Sequence, residues 1–136
     1  MVDSIYSEII LDLYKNPKNF GKLTNYDLKA SGGNYICGDT VTFELKIEKE
    51  KITDVKFIGE GCAISRASES LLTEMVKGKT ISEVKKISSD QVFENLGGVI
   101  QTRIKCALLG YEVLKIGIEK YSEQGGKKTE VAGINI

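Results

Sequence analysis

Hydrophobic and polar residues alternate strictly between residues 41 and 48. The apolar members are Val41, Phe43, Leu45 and Ile47, and the polar members are Thr42, Glu44, Lys46 and Glu48. A period of two is typical of a strand with one buried face and one face in water. A second stretch of this kind, residues 52–58, follows the charged turn Glu50-Lys51. Together the two stretches predict an antiparallel hairpin.

Helical spacing dominates most of the remaining chain. In one long segment the small and apolar positions are Ile64, Ala67, Ser68, Leu71, Leu72 and Met75, and in another they are Ile104, Ala107, Leu108, Tyr111, Leu114 and Ile118. These spacings predict two amphipathic helices, the first ending at Gly78 and the second near Tyr121. Three shorter helices are also predicted. The first covers residues 4–15 and ends at Asn16-Pro17, the second begins at the capping box of Thr80, and the third covers 88–96.

The order of these elements predicts the fold class. With an edge strand placed in residues 18–36, we expect an α+β fold: a small three-stranded antiparallel sheet with helices packed on one face and at its ends. A single domain over residues 1–136 accounts for the length. From about residue 122 the chain is polar and contains glycine, so we expect a mobile tail. The apolar residues 131–136 are expected to dock at a site that the pattern does not specify.

Composition narrows the chemistry. The chain has 19 Lys+Arg, 19 Asp+Glu and no histidine, which excludes Ser-His-Asp triads, Cys-His hydrolases and HExxH metalloenzymes. Because the positive and negative side chains are equal in number, the chain has no net positive charge to attract a nucleic-acid backbone, and a nucleic-acid partner is not expected. No apolar run approaches the roughly 18 residues of a membrane span, and the first residues resemble no secretion signal. We therefore expect no membrane association and a cytoplasmic protein with reduced thiols.

Three cysteines remain as candidates for chemistry. Cys37, Cys62 and Cys106 form no CxxC pair, and each stands where two predicted elements meet. Each could simply be a small buried hydrophobic residue. However, a helix N-terminus favours the thiolate form, which applies to Cys62 and Cys106. In an extended segment Asp39 points to the same side as Cys37. Three thiolates and one carboxylate converging on one point would form a metal site.

Several motifs resemble those of one family. The segment FIGEGCAISRASES (57–70) resembles the signature of the IscU/SufU family of iron–sulfur cluster assembly scaffolds, which is similar to the N-terminal part of NifU. Further blocks of the same family match in the same order: YKNPKN (14–19), CGD (37–39), GK (78–79) and RIKCA (103–107). The resemblance covers about residues 5–121.

This resemblance implies a function and a site. Cys37, Asp39, Cys62 and Cys106 would hold a nascent 2Fe–2S cluster, assembled from iron and desulfurase-derived sulfur and then transferred to acceptor proteins. The implied partners are a cysteine desulfurase and iron–sulfur acceptor apoproteins. A homo-oligomer is compatible with such a site, because a second subunit could cap the cluster.

The sequence also departs from the IscU pattern. Lys105 stands where IscU has histidine, as in the SufU branch, but the long insert of that branch is absent. The chaperone-recognition motif is replaced by residues 99–103, so a dedicated Hsp70 partner is not expected. Lys105 is a candidate donor that steadies a ligand sulfur.

Two alternatives to the scaffold remain open. A SufU-like sulfurtransferase would hold zinc at the same four residues and accept persulfide sulfur from a cysteine desulfurase. Cys37 is then the candidate acceptor and Cys106 its rival. The other alternative is a purely structural zinc, although such sites favour four Cys or His ligands.

Overall fold

A mixed sheet with helices on one face forms the framework of the protein. The computed structural model describes residues 8–34, 36, 38–98 and 101–136. Its helices are α1 (Glu8–Lys15), α2 (Ala63–Val76), α3 (Ile81–Lys85), α4 (Ser89–Asn95) and α5 (Ile104–Glu123), with a 3₁₀ turn at Gln101–Arg103. Its strands are β1 (Leu28–Asn34), β2 (Asp39–Glu48), β3 (Lys51–Glu60) and β4 (Thr129–Asn135). The predicted α+β class is confirmed.

The predicted hairpin is confirmed as β2 and β3, which pair antiparallel around a turn with positive φ at Lys49 and Glu50. The apolar residues of β2 are buried as the alternation predicts. One polar position differs, because Glu44 is also buried. Its carboxylate accepts a hydrogen bond from the backbone N–H of Leu23 at 2.7 Å. The segment between α1 and β1 therefore covers part of a face that the alternation assigns to water.

The expected number and direction of strands are wrong. The sheet has four strands in the order β3-β2-β1-β4, and β4 runs parallel to β1. Consequently β1 is an inner strand, not an edge. The segment that forms β4 contains Gly133 and only a short alternation, so its local pattern is too weak to predict a strand. Its partner lies about a hundred residues earlier in the chain. The expected mobility from about residue 122 stays a prediction.

Helices α2 and α5 pack on each other and cover the sheet. Their buried side chains include Ile64, Leu72 and Ile118, which join Phe43 and Phe57 of the hairpin in one core. Burying apolar side chains of this size stabilises the fold by roughly 1.5–3 kcal/mol each. Among the described residues, no helix is long and apolar enough to cross a membrane.

Both short helices begin with reciprocal caps. In the predicted capping box of α3, Glu83 N–H donates to Thr80 Oγ1 at 3.1 Å and Thr80 N–H donates to Glu83 Oε1 at 2.9 Å. Ser88 and Gln91 form the same arrangement at the start of α4. These caps satisfy backbone donors that a helix start otherwise leaves free.

The junction between β3 and α2 is held from another strand. Cys62 occupies the N-cap of α2 without capping it through its own side chain. Instead, Asp39 Oδ1, at the start of β2, accepts the N–H of Cys62 at 3.1 Å. Gly61 has φ +138°, and a Cβ there would overlap the Asp39 carboxylate. The close approach of Asp39 therefore requires glycine at residue 61.

This junction yields a stability prediction. Gly21 has nearly the same φ, +133°, but a Cβ there would meet nothing within 4 Å, so it is a matched control. Gly21→Ala should cost only backbone strain, about 1–3 kcal/mol. Gly61→Ala should cost a further ~1–3 kcal/mol of unfolding free energy, because Asp39 must move. Urea unfolding of both variants measures the difference, and equal losses would contradict the proposed packing.

Candidate metal centre

Three of the four predicted ligands come together in the structure. One carboxylate oxygen of Asp39 and the sulfur atoms of Cys62 and Cys106 all lie within 4.8 Å of one another. Asp39 begins β2, Cys62 caps α2 and Cys106 lies in the first turn of α5. The fourth, Cys37, lies outside the described residues. Its ligand role therefore stays a prediction.

The group is shielded but reachable. Asp39 is only 4% exposed, whereas both cysteines are half-buried and form no disulfide. Cys62 Sγ lies 4.0 Å from Asp39 Oδ2. A ligand in solution can thus reach the sulfur atoms, while the carboxylate is fixed behind them by its bond to the Cys62 N–H.

The pKa of the Cys106 thiol differs from the sequence-based expectation. Burial, followed by the neighbouring Cys62 and Asp39, raises the pKa of Cys106 to about 12. The helix N-terminus does not outweigh these effects, because a second negative charge beside Asp39 in a partly desolvated group is unfavourable. A bound cation would reverse this balance, since it stabilises thiolates directly. The cluster is therefore suited to hold positive charge.

The donor set fits a soft or borderline metal. Two thiols and one carboxylate are ligands that zinc and iron–sulfur clusters accept, whereas calcium and magnesium require oxygen donors. Three donors leave one coordination position to be filled in a tetrahedral site. That position is available to another residue or to a ligand from solution.

Lys105 takes a peripheral place. It is exposed in the first turn of α5, and its side chain makes no hydrogen bond to another described residue. Its suggested role in steadying a ligand sulfur stays a prediction.

One acidic residue beside the site was missed by the sequence reasoning. Glu69 of α2 has no solvent exposure. Burial, reinforced by Asp39, raises its pKa well above the usual value. A signal was available: Glu69 stands among small residues on the buried side of the helix, seven positions after Cys62 and hence on the same face.

Arg66, one turn after Cys62, has an aromatic environment. Its guanidinium lies 5.3 Å from the ring centre of Tyr14 and 5.7 Å from that of Phe20. Such cation–π contacts are favourable by roughly 0.5–2 kcal/mol. They hold the positive charge close to the first turn of α2.

Comparison with known proteins agrees with this arrangement. Residues 5–128 match the family described as the NifU-like N terminal domain. The iron-sulfur cluster assembly scaffold protein IscU 1 of Archaeoglobus fulgidus is 37% identical over 132 residues, covering 97% of this chain and 86% of that protein. The zinc-dependent sulfurtransferase SufU of Bacillus subtilis is 38% identical, covering 92% and 95%.

A solved structure extends the likeness to three dimensions. The crystal structure of SufU from Fervidobacterium islandicum AW-1 has a TM-score of 0.73 to this chain at 34% identity, covering 84% of this chain and 96% of that one. The chain therefore belongs to the NifU-like N-terminal domain family, together with the IscU and SufU proteins.

Proposed function

We propose that this protein is a scaffold for iron–sulfur cluster assembly. It would build a 2Fe–2S cluster from iron and desulfurase-derived sulfur and transfer the cluster to acceptor apoproteins. The observation that carries the proposal is the convergence of Asp39, Cys62 and Cys106 within 4.8 Å, although they lie on three different elements. Cys37 would complete the set of four ligands.

The types of ligand at the site suit a cluster that is bound only until it is transferred. Thiolates are the ligands that iron–sulfur chemistry uses. A carboxylate is a harder ligand and holds the iron of such a cluster less firmly. Asp39 would therefore provide the weakest of the four bonds, and the half-buried cysteines give an acceptor access to the cluster. Cytoplasmic localisation and the two kinds of partner, a cysteine desulfurase and acceptor apoproteins, stay predictions.

Anaerobic reconstitution tests this function. Purified protein is incubated with ferrous iron and sulfide without oxygen, desalted, and analysed for iron, acid-labile sulfide and visible charge-transfer absorption. The wild type should retain iron and sulfide in equal amounts. Cys62→Ser should lose most of both, whereas Glu74→Gln, at an exposed position of the same helix, should match the wild type. Retention of iron without sulfide by the wild type would contradict the scaffold.

The role of Asp39 is tested by the rate of release. Asp39→Ala should slow loss of the cluster to a chelator or an apoprotein severalfold, because the hardest ligand is gone. The measurement is the decay of the charge-transfer band after loading wild type and variant to the same extent. Faster loss from the variant would show that Asp39 retains the cluster.

A zinc-dependent sulfurtransferase is the second candidate. It is favoured by the 38% identity to the SufU protein of Bacillus subtilis and by the lysine at residue 105. In this function Cys37, Asp39, Cys62 and Cys106 would hold zinc. The Cys37 thiolate attacks the terminal sulfur of a desulfurase persulfide, and the desulfurase cysteine leaves as a thiolate.

Persulfide trapping distinguishes the two candidate acceptors. After incubation with a cysteine desulfurase and cysteine, alkylation and mass spectrometry should find the extra sulfur atom on Cys37. Cys37→Ser should abolish stimulation of desulfurase turnover while the protein still binds zinc. An extra sulfur found on Cys106 would assign the acceptor role to that residue, and no stimulation by wild type would exclude the sulfurtransferase.

A further inference from the structure

Glu69 is a buried carboxyl group that the described structure leaves unsatisfied. Its side chain has no solvent exposure, and neither carboxyl oxygen has a hydrogen-bond partner among the residues described. Burying a polar group without a partner costs several kcal/mol in the reference transfers. Such a group in a folded protein usually indicates a bound ion or a functional role.

Glu69 belongs to one ligand-bearing helix, α2, lies against the other, α5, and reaches the end of β3, which pairs with the strand β2 that Asp39 begins. Along α2, it lies two turns after Cys62 on the same face. Along α5, its Cγ lies against Gly110, one turn after Cys106. Along the β3 end of the hairpin, its carboxyl lies against Gly59, two residues before the Gly61 that contacts Asp39. Glu69 is therefore next to the ligand group and more deeply buried than its cysteines.

The surroundings leave room for this side chain. A Cβ at Gly59 would overlap Glu69 Oε1, and a Cβ at Gly110 would lie 2.9 Å from Glu69 Cγ. Long side chains on a helix lean towards its N-terminus, which for α2 is the end that bears Cys62. The two glycines thus make a narrow space in which the carboxyl group points towards the site.

The nearby arginine does not satisfy Glu69. Arg66 attracts its negative charge, yet it forms no hydrogen bond with Glu69, and its own Nε is buried without a partner. Its guanidinium is instead held against the rings of Tyr14 and Phe20. A cation that Glu69 could contact directly is therefore absent among the described residues.

We propose that Glu69 is an additional ligand, whose carboxylate binds the same divalent metal ion as Asp39, Cys62 and Cys106. Glu69 lies outside the 4.8 Å group in the structure, so binding requires rotation about its side-chain torsions. With Glu69 as the fourth ligand, a tetrahedral zinc ion is held without Cys37. That thiol is then uncommitted and can receive sulfur while the metal stays bound.

The inference rests on the proposed metal-binding function, and measurements of zinc affinity test both the inference and that function. The full chain and its Glu69→Gln variant are titrated with zinc in competition with a chromophoric chelator. Gln keeps the size of the side chain but removes its charge. Glu69→Gln should weaken zinc binding by at least about tenfold, as losses around metal sites do. Glu74→Gln, exposed on the same helix, should leave it unchanged.

A variant with an apolar side chain separates a metal role from a structural one. In the metal-free protein Glu69→Met should raise Tm by at least about 4 °C, because an unpaired buried carboxyl group is replaced. The same variant should bind zinc at least about tenfold more weakly. A residue needed only for packing or folding would lower Tm instead and would not produce opposite changes in stability and affinity.

The Cys37→Ser background gives the sharpest result. Zinc X-ray absorption of Cys37→Ser should show two sulfur and two oxygen ligands, and adding Glu69→Gln should abolish tight binding. Unchanged zinc affinity in both Glu69 variants, with the wild type binding zinc, would overturn the role of Glu69 alone. Failure of the wild type to bind either zinc or iron would overturn the proposed function and, with it, this inference.

Discussion

The hydrogen bond between the Asp39 carboxylate and the backbone N–H of Cys62 is the contact on which the site depends. It joins the first residue of β2 to the cap of α2, two points that are distant in sequence. Because Cys62 does not cap its helix itself, the same carboxylate both satisfies a helix donor and faces the sulfur atoms. Gly61 makes this approach possible, since any side chain there would occupy the position of the carboxylate.

A concentration of acidic groups follows from that contact. Asp39 and Glu69 are buried, and the cysteines stand beside them. In a metal-free protein such a group is costly, and the raised pKa of Cys106 and of Glu69 reflects that cost. A bound cation would offset this cost, since it would stabilise the carboxylates and thiolates directly. The large apolar core of Phe43, Phe57 and the helices offsets it.

The sequence predicts the local elements well and the long-range ones poorly. The alternation in β2 and the capping box at Thr80 depend on neighbouring residues, and both appear as expected. The fourth strand was missed because its pairing with β1 is decided by packing against α5 and not by its own residues. Glu44 was predicted to face solvent because the segment that covers it, between α1 and β1, has no regular hydrophobic pattern.

The same division holds for the site. Spacing and the family motifs single out Asp39, Cys62 and Cys106 and suggest that they meet, which the geometry bears out. Glu69 lies within the family segment 57–70 and on the same helix face as Cys62, but its unusual environment becomes clear only when its burial and missing partners are known. The glycines beside it, Gly59 and Gly110, belong to β3 and α5, and no local pattern predicts that these two elements approach Glu69.

Because the converging residues are drawn from β2, α2 and α5, a metal or cluster held by them would cross-link segments separated by 23 and 44 residues along the chain. Closing loops of this length removes conformational freedom from the unfolded chain, and ligand binding shifts the folding equilibrium further. Transfer of the cluster to an acceptor would therefore also remove this cross-link. The cluster-free protein would unfold locally more often than the cluster-bound form, and proteases or quality-control factors could distinguish the two forms by this difference in stability.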